Sequence, residues 1–223
     1  MYDRAMRTLT MAFMLTVAPC LAQTSAPYGL AGSYHAALEL VDGAFATMSG
    51  GLFFPDEASE GPAPENIDAA PHGFHLVSPG LYRSAQPSLE NIGWLSGFGM
   101  ATLLDLRDPI TAALERRAAA RAGIGVESVP MSGAWAPTFG ELDRALAVLT
   151  DPATPRPILV HCLHGQDRTG VVIAAYRVIV EGVSPTQAAA EAQGFGCCHL
   201  VTRDLRGLLE RYRRHVRRQF RRY

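Results

Sequence analysis

The stretch Val160-His161-Cys162-Leu163-His164-Gly165-Gln166-Asp167-Arg168-Thr169-Gly170 decides how the rest of the chain is read. An apolar run, Pro157 to Val160, precedes it and reads as a buried strand. Val171 to Val180 follows and reads as a buried helix. Cys162 opens the loop between them and Arg168 closes it, with five residues in between. The backbone N–H groups of a helix's first turn have no partner inside the helix, and the helix dipole adds positive potential there. A loop in that place is a ready anion site. Gly165 permits a tight turn and close backbone approach to a ligand. Arg168 offers a planar fork of donors that suits two phosphate oxygens. The same field favours thiolate at Cys162, since such sites move a cysteine pKa from about 8.5 into roughly 3.5–7.5. The stretch therefore reads as a nucleophile charged at neutral pH and facing a bound phosphate.

Outward from the loop, the chain alternates short strands and helices. Phe74 to Val77 and Leu81 to Arg83 read as strands joined by a Ser78-Pro79-Gly80 turn. Ser88 is placed to cap a helix through Leu95. Met100 to Leu106 and Ile124 to Pro130 read as strands, and Thr111 to Ala122 and Phe139 to Leu149 as helices. This order predicts an α/β fold, with a central, mostly parallel sheet flanked by helices and a phosphate-binding loop between a strand and a helix. Ligands of such sheets bind beyond the carboxyl ends of the strands, where Cys162 falls.

The run His161-Cys162, Gly165, Arg168-Thr169-Gly170 resembles the signature loop of cysteine-dependent protein tyrosine and dual-specificity phosphatases. Gly80 to Pro87, Leu103 to Arg107, Tyr176-Arg177 and Gln193 to Gly196 extend the resemblance towards small exported bacterial members, which act on phosphotyrosine in membrane signalling proteins. The resemblance implies that Cys162 attacks phosphorus to give a phosphocysteine and that Arg168 holds the equatorial oxygens. It implies that Thr169 hydrogen-bonds the sulfur and eases its departure, and that His161 supports the loop from within. It implies no metal and no other cofactor. Leu163, His164, Gly165, Gln166 and Gly170 complete the substrate-binding candidates, although His164 also reads as a merely exposed residue and Gln166 as one that positions water.

One departure stands out. The family places a general-acid Asp on a loop upstream of the nucleophile, and here Val129 to Thr138 carries no carboxylate. Glu141 and Asp143 are nearest, inside a predicted helix. Asp167 sits in the loop itself, as in myotubularin-type and Sac-type lipid phosphatases. Two readings stand for it: protonating the leaving oxygen or orienting water, or pairing with Arg168 and capping the helix. Arg107 reads as a substrate contact or as the partner of Asp105 or Asp108, and Trp135 as a pocket wall or as packing. Cys197 and Cys198 are expected to be free thiols, since a vicinal bridge is strained, with a bridge to Cys162 as the alternative that would switch the site off.

The remaining features concern location and class. The chain has 223 residues, enough for one substantial domain, and its net charge of −1 gives no nucleic-acid bias. Met1 to Ala22 reads as a signal peptide, with Arg4 and Arg7 before an apolar run from Leu9 to Val17. Residues 23–71 read as an extension and linker, with a helix of mixed quality over Ser33 to Met48, and 72–223 as the phosphatase domain. Export, to a bacterial periplasm, is the expected destination. All 20 basic residues are Arg, and nine of them lie between Arg203 and Tyr223. Leu205, Leu208, Leu209, Tyr212, Val216 and Phe220 recur there at helical spacing, so one face docks on the domain. The basic outer face is either a solvated surface or a contact for anionic membrane or an acidic partner. The expected substrate is a phosphotyrosine protein, followed by a phosphoinositide, lipid or sugar phosphate. Rhodanese-like sulfur transfer and a phosphate-binding pseudophosphatase are the readings from other classes.

Overall fold

A computed structural model describes residues 67–108, 112–198 and 204–220. The signal peptide and the helix expected over Ser33 to Met48 lie outside these residues. After a 3-10 turn at Ile67–Ala69 come β1 (His75–Ser78), β2 (Leu81–Ser84), α1 (Leu89–Gly97), β3 (Thr102–Asp105), α2 (Ala113–Arg121) and β4 (Gly125–Ser128). Then follow α3 (Phe139–Thr150), β5 (Ile158–His161), α4 (Asp167–Ile179), α5 (Pro185–Gly194) and α6 (Leu205–Phe220). The strands form one sheet in the order β1-β2-β5-β3-β4. Only β1 and β2 pair antiparallel; β2, β3, β4 and β5 are parallel.

The strands at the centre of the sheet are short and fully buried, so they lack the polar alternation of a half-exposed sheet. Their side chains alternate between two cores. Leu104, Ile158 and Val160 face a large core with α3, α4, α5 and α6, while Leu103 and Leu159 face a smaller one with Ile92, Leu95, Ala119 and Ile124. Helix α4 is buried on nearly every side, which is why it reads as a continuous apolar run. Local chemistry sets the helix starts. Ser88 and Asn91 close a capping box on α1, and Thr138 and Glu141 close another on α3.

Two helices differ from the sequence reading. Helix α4 begins at Asp167, not at Val171, so Arg168 belongs to its first turn. Helix α5 was not anticipated; Ser184 caps it and Pro185 opens it. Helix α6 docks as its periodicity predicts, with Leu205, Leu208, Leu209, Tyr212 and Val216 buried. Its pairing to α3 is specific, since the Tyr212 hydroxyl donates to Asp143 Oδ1 at 2.7 Å.

Candidate active site

Strand register places the site. Ser84 of β2, His161 of β5 and Asp105 of β3 lie side by side at the carboxyl end of the sheet. Cys162 is the next residue of the central strand's chain and is 2% exposed. From there the chain loops into α4. Burial alone would raise the Cys162 pKa. The Thr169 hydroxyl and backbone N–H, the Arg168 charge and the Gly165 N–H outweigh it, and the thiol sits below its ordinary value. The Thr169 side chain is fully buried, and its hydroxyl is the first of the groups that favour the charged form of the sulfur. Alkylation of Cys162 by iodoacetate is accordingly expected to stay fast at pH values where an ordinary cysteine, with a pKa of about 8.5, is protonated. A rate profile by mass spectrometry with its midpoint at or above that value would contradict the geometry.

The loop presents some residues outward and buries others. Leu163, His164 and Gln166 are exposed, Gly165, Thr169 and Gly170 are buried, and Asp167 and Arg168 are in between. Two glycines are sterically required. At Gly165 φ is +70°, and an added Cβ would lie 2.5 Å from the Ser84 main chain. At Gly170 it would lie 2.8 Å from Cys197 Sγ. The Arg168 guanidinium lies beneath Gly133, whose Cβ, if present, would be 3.8 Å from Nη2. The loop holding Gly133 runs on from β4 and stays tied to β3, since the Val129 and Met131 N–H groups donate to the Asp105 and Leu106 carbonyls. Ser132 Oγ accepts from the N–H groups of Ala134 and Trp135. Trp135 is 76% exposed, so it is not core packing.

Behind the nucleophile lies a buried charge network. Arg107 donates Nε and Nη2 to Asp105 at 2.9 Å each and Nη2 to Glu115 at 2.7 Å. His161 Nε2 is 3.1 Å from Glu115 Oε1, within ion-pair distance but outside hydrogen-bond angles, and Nδ1 is 3.5 Å from the Cys162 carbonyl oxygen. His161 is fully buried between Glu115 and the Cys162 main chain. Arg107 is 3% exposed and pairs with Asp105, one of the two readings of the sequence, and with Glu115 as well. Burial would raise the Asp105 carboxyl, but the Arg107 hydrogen bonds prevail and hold it below the usual carboxylate range. Removing one member of such a buried pair costs about 3–5 kcal/mol, which fixes the ends of β3 and β5 and the start of α2 as one unit.

The carboxylates considered as acids are all engaged. Glu141 Oε2 accepts from the Thr138 N–H and hydroxyl at 2.6 Å each. Asp143 binds Tyr212. Asp167 Oδ1 accepts from the Cys198 N–H at 2.7 Å. That bond belongs to a seam absent from the sequence reading, in which residues 195–198 back the loop. Gly196 (φ +78°) lies against the Gln166 amide, and Cys197 against Gly170. Cys197 and Cys198 are joined by a disulfide, against the expectation of free thiols, and Cys162 is the free cysteine among the described residues.

Two clusters bring metal-type donor atoms within 4.8 Å of one another: Asp105, Glu115 and His161, and Asp167, Cys197 and Cys198. In the first, the Arg107 guanidinium already supplies the positive charge. In the second, the sulfurs are bonded to each other. Arg83 was the site residue hardest to see in the sequence. It is 2% exposed, donates Nη2 to the Gly165 carbonyl at 2.7 Å and lies 4.1 Å above the Phe195 ring.

A strand-end cysteine, an arginine in the following helical turn and a glycine-dependent loop between them stand together at the carboxyl end of the sheet. The family described as "DSP-PTPase phosphatase fused to NAD+ Kinase" matches residues 76–202, more than half the chain. The chain belongs to the dual-specificity phosphatase family. Among curated relatives, the dual specificity protein phosphatase TpbA of Pseudomonas aeruginosa is 31% identical over 164 residues, covering 71% of this chain and 72% of that protein. The inositol diphosphatase DSP1 of Oryza sativa is 28% identical over 149 residues, covering 65% and 66%. Among solved structures, the catalytic domain of the PP-IP phosphatase SIW14 from S. cerevisiae superposes with a TM-score of 0.58 at 28% identity, covering 64% of this chain and 87% of that one. The P. aeruginosa TpbA structure gives a TM-score of 0.51 at 28% identity, covering 61% and 83%. As a dual-specificity-type phosphatase, the chain carries its cysteine, arginine and glycine loop in the strand–loop–helix setting that its sequence predicts.

Proposed function

We propose that this phosphatase hydrolyses phosphoryl groups through a phosphocysteine on Cys162, outside the cytoplasm, with phosphotyrosine proteins as its first substrate class. The observation that carries the reading is the buried Cys162 sulfur, whose pKa is drawn below its ordinary value by Thr169 and Arg168 of the first turn of α4. The Sγ lone pair forms the S–P bond while the P–O bond to the leaving group breaks and its electron pair stays on that oxygen. Arg168 binds the equatorial oxygens. Water then attacks phosphorus, the S–P bond breaks, and the Thr169 hydroxyl receives the returning thiolate.

The acid side of the site favours particular leaving groups. Val129 to Thr138 carries no carboxylate, and Glu141 and Asp143 are bound elsewhere. Asp167 accepts the Cys198 N–H, an acceptor role that suits orienting water in the second step better than donating a proton in the first. Substrates whose leaving oxygen departs without a proton then have the advantage. A tyrosine phenol, with a pKa of about 10, leaves more readily than a serine alkoxide. A phosphate group, with a second pKa of about 6, leaves more readily still. This supports a second reading, a phosphoanhydride such as an inositol diphosphate, the substrate class in the names of the rice relative and the yeast neighbour.

Phosphate release from a phosphotyrosine peptide, a phosphoserine peptide and a diphosphoinositol compound tests this. The phosphoserine rate is expected to be lowest by at least about 100-fold, the loss typical of an absent general acid. In Asp167→Asn, an aryl phosphate is expected to show a burst followed by slower turnover. Equal rates on phosphoserine and phosphotyrosine, or an Asp167→Asn variant slowed in the burst itself, would overturn the assignment. The leader read in residues 1–22 supports export. The outward Arg206, Arg211, Arg214, Arg217 and Arg218 of α6 support contact with an anionic membrane surface.

A further inference from the structure

Residues 83–86, where β2 ends, run beside the loop and touch it at three points. Arg83 Nη2 donates to the Gly165 carbonyl at 2.7 Å. The Gln86 N–H donates to the Leu163 carbonyl at 3.2 Å. The Gly165 Cα sits against the Ser84–Ala85 main chain so closely that no Cβ fits. In a trans peptide the C=O of one residue and the N–H of the next point in opposite directions. Tying the Leu163 and Gly165 carbonyls to the β2 side therefore turns the His164 and Gln166 N–H groups away from it, towards the inside of the loop. We infer that Arg83 is a positioning residue for catalysis, which together with the Gln86 N–H sets the direction of the loop's anion-binding N–H groups.

The burial of Arg83 fits this role better than a packing role. A buried cation is costly to keep without a hydrogen-bonded carboxylate. Arg83 makes no hydrogen bond to one among the described residues, and its Nη1 has no partner. Its guanidinium carbon stands 4.1 Å from the centre of the Phe195 ring while Nη2 reaches the Gly165 carbonyl, two contacts at once that suit a broad fork better than an ammonium. Burial lowers its pKa, while Glu191 and Cys162 act in the opposite sense. The Gly80 to Pro87 motif thus has a task at the site although it contributes no reacting group.

The inference rests on the anion-site reading, and inorganic tungstate separates the two. Tungstate affinity is measured by calorimetry on the reduced full chain for wild type, Arg83→Met and Arg83→Lys, with near-UV circular dichroism as the folding check. Arg83→Met is expected to bind at least about tenfold more weakly, the size of a lost hydrogen bond to a charged group. Arg83→Lys is expected to lie between it and wild type, at least about threefold weaker, because it keeps the charge and loses the fork. The loss in kcat/KM is expected to be carried more by KM than by kcat. A folded Arg83→Met within twofold of wild type overturns the inference. If that variant does not fold, Arg83→Lys within twofold does so. A wild type that binds tungstate without hydrolysing any phosphate ester defeats the functional reading and leaves the role of Arg83 standing.

Discussion

Cys162→Ser is expected to abolish turnover and keep oxyanion binding. The loop's donors draw the cysteine pKa below its ordinary value, but a serine hydroxyl starts far too high in pKa for the same donors to ionise it at neutral pH. The nucleophile is then lost outright, and kcat falls by at least about 10⁴-fold, as when a nucleophile is removed from other covalent enzymes. Gly165, Arg168 and the first turn of α4 are untouched by the change, so the anion cradle survives. Serine is close to cysteine in size at a position that is 2% exposed, so little loss of stability is expected. Phosphate release and phosphopeptide binding, measured on one preparation, check both halves. Residual turnover within about tenfold of wild type would mean that another group attacks phosphorus.

Gly165→Ala is expected to lower both stability and activity. An alanine at φ +70° pays about 1–2 kcal/mol for the left-handed backbone. Its Cβ would lie 2.5 Å from both the carbonyl carbon and oxygen of Ser84 and 2.6 Å from the Ala85 nitrogen. Those atoms are main chain and have no rotamer to give way, so the loop or the end of β2 must shift, at about 1–3 kcal/mol more. The total is about 2–5 kcal/mol. Activity falls as well, because a displacement of about 1 Å at a positioning loop is worth about 100-fold in rate. The denaturant midpoint and kcat/KM report the two effects separately. Wild-type values for both would mean that the loop and β2 do not meet at this glycine.

What could be read from sequence follows the range of the interactions involved. The motif from Cys162 to Gly170 and its strand–loop–helix setting were legible because residues close in the chain make them. Asp105 and Arg107 stand two apart, so their pairing was one of the readings open in advance. Glu115 was not legible as the third member, because α2 and β5 must pack before it meets Arg107 and His161. The start of α4 was hidden by Asp167-Arg168-Thr169-Gly170, polar residues and a glycine that look like loop. They are helical because the Gly170 N–H donates to the Gln166 carbonyl and Cys197 packs on the bare Gly170 Cα. Helix α5 has a weak pattern of alanines, and its signal was the Ser184-Pro185 start. The seam at residues 195–198 and the buried place of Arg83 are tertiary facts with no local pattern to announce them.

The exposure pattern of the loop has a consequence for how such a protein diversifies. Leu163 and His164 are exposed, while Gln166 lays its amide against Gly196, and Gly165, Thr169 and Gly170 are buried, Gly165 against main chain. Main chain is indifferent to substitution. A lineage, or a directed-evolution library, can therefore exchange the two outward positions, Leu163 and His164, without rebuilding the buried part of the loop. The loop is in this sense a slowly changing engine with a quickly changing selector, and the two share one eleven-residue stretch of chain.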